Sequence, residues 1–68
     1  MRITRKQLEA KVNSYNSISD IKLKLNDDVI GAINLYTEDN NRIATATTKD
    51  IFYILDALFN VKALERNN

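Results

Sequence analysis

Apolar and polar positions alternate along this chain in three distinct rhythms, and each rhythm predicts a different element. Residues 3–16, "ITRKQLEAKVNSYN", place Leu8, Val12 and Tyr15 at i, i+4 and i+7, a narrow helical stripe. The start is specified locally. Thr4 suits an N-cap, with Gln7 at N3 completing a capping box and Ile3 facing Leu8 as a hydrophobic staple. Asn13, Ser14, Asn16 and Ser17 are weak helix formers, so the helix is expected to stop near Asn16. Ile21-Lys22-Leu23-Lys24-Leu25 then alternates strictly with period two, the pattern of a strand with one buried face. Val29 to Thr37 reads as a second strand and Arg42 to Thr47 as a third. Asn26-Asp27-Asp28 and Glu38-Asp39-Asn40-Asn41 supply turn chemistry between them. The last rhythm, Ile51, Ile54, Leu55 and Leu58, predicts a helix from Asp50 to about Leu64.

Residues paired across antiparallel strands share a face, so the turns can be placed by matching apolar with apolar. A three-residue loop at Asn26 to Asp28 pairs Leu25 with Val29 and Ile21 with Ile33. A three-residue loop at Glu38 to Asn40 pairs Leu35 with Ile43, and Tyr36 with Arg42 on the other face. Asn40 then falls at the left-handed position that such loops require. The expected inner face is Ile21, Leu23, Leu25, Val29, Gly31, Ile33, Leu35, Ile43, Thr45 and Thr47. Gly31 would lie inward, opposite Leu23, beneath a crossing helix or at a bulge. The fold class is α+β in the order α-β-β-β-α: a three-stranded antiparallel meander with both helices packed on one face. The 68 residues make a single small domain, with the tail at 66–68 frayed.

Size and inventory narrow the functions. A core this small contributes little net stability, and the usual staples are missing, for there is no cysteine and no histidine. Self-association becomes the expectation. Phe52, Phe59 and Val61 strengthen it, because they widen the apolar face of the second helix to about half its circumference at ~100° per residue. Without histidine or cysteine, Ser14, Ser17 and Ser19 cannot join a Ser-His-Asp arrangement. Asp27-Asp28 and Glu38-Asp39 fall in exposed turns, where nothing splits their acidities for acid–base work. The chain is therefore expected to be no enzyme and to need no cofactor. No apolar run approaches the ~18 residues of a membrane span, and a cytoplasmic protein is expected.

The net charge is +1, but it is unevenly spread. Residues 1–24 carry Arg2, Arg5, Lys6, Lys11, Lys22 and Lys24 against Glu9 and Asp20, a balance of +4; residues 25–68 balance at −3. Two surfaces follow. The outer sheet face would carry Ile30, Ala32, Ala44 and Ala46 beside Tyr36, a half-apolar surface suited to a protein partner. The third strand adds an edge without charge or proline, open to strand addition. With Phe52 and Phe59, these residues form the expected partner or oligomer surface. The second candidate is an anion site at the start of the last helix, from Arg42, Thr47, Thr48 and Lys49. Asp50 in the first turn opposes it, and Thr47-x-x-Asp50 also reads as a capping pair that uses the same N–H groups. Nucleic acid is not the expected partner, although Lys22, Lys24, Tyr36 and Arg42 form a sparse basic and aromatic set.

Leu8, Glu9, Val12, Asn13 and Asn16 in the first helix resemble an "LExxVNxLN" element. Thr48, Lys49, Ile51, Tyr53, Leu55, Ala57 and Leu58 in the last resemble a "TKxIYxxLxAL" element. Together they resemble a group of small bacteriophage and prophage proteins of unknown function. The resemblance implies a non-catalytic accessory protein that binds and inhibits a bacterial host or defence protein as a homo-oligomer. The alternatives are a protein sequestering a nucleotide or other small anionic ligand, and a weak nucleic-acid-binding module using Arg2, Arg5, Lys6, Lys22 and Lys24.

Overall fold

A computed structural model describes residues 2–28 and 30–66. Its order is α1 (Arg5–Ile18), β1 (Leu23–Asp27), β2 (Ile33–Thr37), β3 (Arg42–Ala46) and α2 (Thr48–Arg66). The strands form one antiparallel sheet in the order β1-β2-β3. Both helices cover the same face, as the α-β-β-β-α pattern predicts. Leu8, Val12 and Tyr15 of α1 meet Ile51 and Leu55 of α2 over Leu23, Ile33 and Leu35 of the sheet.

The start of α1 follows its sequence signal. Thr4 Oγ1 accepts from the Gln7 amide at 3.1 Å, and Gln7 Oε1 accepts from the Thr4 amide at 2.8 Å. Ile3 and Leu8 are both buried. The helix runs two residues past Asn16, whose poor propensity is overridden by tertiary bonding. The Asn16 side chain donates to the Leu23 carbonyl at 2.9 Å and accepts from the Leu23 amide at 2.8 Å, as a strand neighbour would. Lys22 then closes the helix end, its amine donating to the carbonyls of Asn16 and Ser19. Ile21 is exposed in a bend, where its amide donates to Ser19 Oγ, and so does not join the inner face.

The two hairpins are built alike. Glu38 to Asn40 form a three-residue loop, closed by the Asn40 amide on the Thr37 carbonyl at 3.0 Å, with Asn40 at φ 68°. That loop is where the sequence places it, and Tyr36 faces Arg42 as expected. The first loop has the same length but lies three residues later, between Asp28 and Ala32. The Gly31 amide donates to the Asp28 carbonyl at 3.1 Å, and Gly31 sits at φ 87°. Gly31 is therefore the left-handed loop residue, exposed, and not an inward strand position beneath a helix. Ile30 belongs to the same loop at 82% exposure, and Val29, expected on the inner face, lies outside the described residues. Asn26 and Asp27, which read as turn residues, extend β1 instead, and Leu25 pairs with Leu35.

A bulge alters β3. Tyr36 opposes Arg42, yet Leu35 opposes Ala44, so Ile43 is an extra residue and everything after it changes face. Ala44 and Ala46 pack against the core, whereas Ile43 and Thr45 are exposed. This corrects the expected placement of all four, and Thr47, also expected inward, is exposed ahead of α2. Small side chains let α2 lie close over β3, where Ile43 and Thr45 would hold it off. The bulge also breaks the edge ladder, supplying the protection against edge pairing that the residue types of β3 lack.

Candidate functional site

Three surfaces carry the residues singled out by the sequence. The first is α2. Its inner side is spent on the fold, with Ile51 and Leu55 fully buried. Phe52 and Phe59, expected at a partner surface, are half-buried and pack against the core, and α1 reaches across them. Lys11 Nζ lies 5.3 Å from each phenyl centroid and binds Asp56 Oδ1 at 3.0 Å. The apolar surplus of α2 lies elsewhere. Tyr53, Val61 and Leu64 are 51%, 55% and 67% exposed, and Ala57 stands exposed between them. At ~100° per residue these four fall within a sector of about 80°, turned away from Ile51 and Leu55. The spacing 53, 57, 61, 64 is itself a helical stripe and was readable in the sequence. It is masked there by the stronger stripe that forms the core.

The second surface is the open face of the sheet. With β3 shifted in phase, the face is largely polar, with Ile43 exposed at its β3 edge. Lys24, Tyr36 and Arg42 form one cross-strand row, and Asn26, Asn34 and Thr45 form the next. Asn34 is only 8% exposed, and its Oδ1 accepts from the Thr45 hydroxyl. Of the apolar residues expected here, Ala44 and Ala46 have turned inward, Ile30 has moved to a loop tip and Ala32 is half-buried at that loop's end. The row of Lys24, Tyr36 and Arg42 lies where the sequence places it, whereas Thr45 joins the next row only through the bulge, which nothing in the residue types announces.

The third surface is the start of α2. Thr47 is the N-cap: its Oγ1 accepts from the Asp50 amide at 3.2 Å, and its carbonyl accepts from the Ile51 amide at 2.9 Å. The capping reading of Thr47-x-x-Asp50 thus holds. Thr48 and Lys49 follow in the first turn together with Asp50. Arg42 is not brought to them. It lies at the far end of β3, on the order of 15 Å from Thr47 at ~3.4 Å per residue.

The remaining basic residues are partly engaged. Arg5 pairs with Glu9 at 3.2 Å and with Asp27, linking the first turn of α1 to the end of β1. Chiefly through the bond to Asp27, the guanidinium is held above its already high ordinary value. A notch of about 160 Å³ opens near the Glu38 turn, lined by Asp20, Ile21, Lys22, Thr37, Glu38 and Asp39; of the residues singled out by the sequence it contains Lys22 and none of the partner-surface or anion-site residues. Among the described residues no group of histidine, cysteine or acidic side chains is arranged to hold a metal ion, and no helix is long and apolar enough to cross a membrane. No protein-family model matches the chain, and no curated protein or solved structure shows significant similarity to it.

Proposed function

We propose that this chain is a non-catalytic accessory protein of bacteriophage origin that binds and inhibits a bacterial host or defence protein, as a homo-oligomer. The observation that carries the reading is the exposed stripe Tyr53, Ala57, Val61 and Leu64 on the outer side of α2. Isolated exposed apolar residues are ordinary, and Ile21 and Ile30 are of that kind. A contiguous row on one regular element is the mark of a protein contact. Its chemistry suits either an apolar groove or a matching helix, the arrangement by which an amphipathic helix docks. Tyr53 adds an aromatic anchor of the kind that concentrates binding energy. The resemblance to small phage proteins supports the biological setting, and its Ala57 position falls within this stripe.

The test is capture from bacterial lysate with two immobilised baits, the native chain and Leu64→Glu, followed by mass spectrometry. A host protein retained by the first and lost from the second is the expected result. Identical captures by both baits would remove the stripe from the function.

A further inference from the structure

The open face of the sheet carries a second surface, independent of the α2 stripe. Tyr36 sits on the central strand between Lys24 and Arg42, its direct partners on the two neighbouring strands. Both helices pack on the other side, against Leu23, Ile33 and Leu35, so no helix covers this row. Among the described residues neither cation is paired with a carboxylate. The Lys24 amine rests on the neutral amide oxygen of Asn40. The next row, Asn26, Asn34 and Thr45, is uncharged and rich in hydrogen-bonding groups. Glu38 lies one row further toward the turn, its amide donating to the Lys22 carbonyl at 3.2 Å, and its exposed carboxylate is at that end of the sheet.

We propose that this face binds single-stranded nucleic acid, with a base stacked on Tyr36 and the flanking phosphates held by Lys24 and Arg42. An aromatic ring between cations gives the two contacts that a single strand offers everywhere, a base face and a phosphate. Neighbouring strands lie about 4.8 Å apart, so the backbone positions of Lys24 and Arg42 stand roughly 10 Å apart on the strands flanking Tyr36, and the Lys24 amine reaches toward the Asn40 loop. Extended side chains there can follow a backbone running across the strands. The exposed amide of Asn26 lies in the next row, where a base edge would fall, while the buried Asn34, held by the Thr45 hydroxyl, fixes the floor of the platform. A duplex hides its base faces and cannot use the tyrosine in this way. A protein partner fits less well, because the inward turn of Ala44 and Ala46 leaves the centre of the face to polar side chains, with Ile43 exposed only at its β3 edge.

Fluorescence anisotropy decides the matter, using fluorescein-labelled single strands of about 12 nucleotides, RNA and DNA, with the full chain. Saturable binding is expected, weakening as salt is raised from roughly 50 to 200 mM. Tyr36→Ala and Arg42→Ala should each weaken it about tenfold, and Glu38→Gln should tighten it. Arg42 is exposed, so its variant keeps the test valid if the half-buried Tyr36 proves to be needed for folding. Lack of saturable binding, binding indifferent to Arg42→Ala, or a duplex competing as well as the single strand would overturn the proposal.

Discussion

The two sides of α2 have nearly the same chemistry and opposite fates. On one side Ile51 and Leu55 vanish completely beneath α1 and the sheet. On the other, Tyr53, Val61 and Leu64 are at least half exposed, with none of the described residues closing over them. The difference is in geometry, not residue type. A three-stranded sheet and one short helix enclose only part of a helix's circumference. α1 extends the cover sideways over Phe52 and Phe59, and Lys11 seals that border with its stem and charge. The remaining sector has no cover of its own. An apolar face therefore becomes core or contact surface according to what the topology can bring over it.

Substitutions should separate the two sides by size of effect. The largest belongs inside. Leu55→Ala removes a fully buried side chain from the junction of both helices and the sheet, and should cost about 2–5 kcal/mol in urea unfolding. For so small a domain that loss should leave a large unfolded fraction at room temperature. At the border, Lys11→Ala removes the contacts to both phenyl rings and the partly exposed pair with Asp56, and should cost about 1 kcal/mol in the same measurement. Outside, Leu64→Gln should change the stability of the monomer by no more than about 0.5 kcal/mol at high dilution. A loss there comparable to that of Leu55→Ala would erase the distinction between the two sides.

The sequence revealed the elements, their order and the core stripes of both helices, because hydrophobic period and capping chemistry are local signals. Thr4 with Gln7, Thr47 with Asp50, and the Glu38–Asn40 loop all lie where the residues place them. The first hairpin shows why register is harder. Asn26, Asp27 and Asp28 have turn chemistry, and moving the loop three residues along preserved the parity of β1 and β2. Leu23, Leu25, Ile33 and Leu35 therefore reached the inner face from either reading. The decisive signal was Gly31, the one residue suited to the left-handed loop position. The bulge at Ile43 had no such local mark. It is favoured by the fit of α2 over Ala44 and Ala46, a tertiary effect, and it inverted the face of β3 and with it the expected partner surface.

The central claim is that the outer stripe of α2 is a protein-binding face that also joins copies of this chain. Sedimentation velocity over a wide concentration range tests it most directly, with the native chain and Leu64→Glu run side by side. The native chain should sediment as a concentration-dependent oligomer, and Leu64→Glu as a folded monomer throughout. A native chain that stays monomeric at the highest concentration, or an oligomer that Leu64→Glu leaves intact, would contradict it.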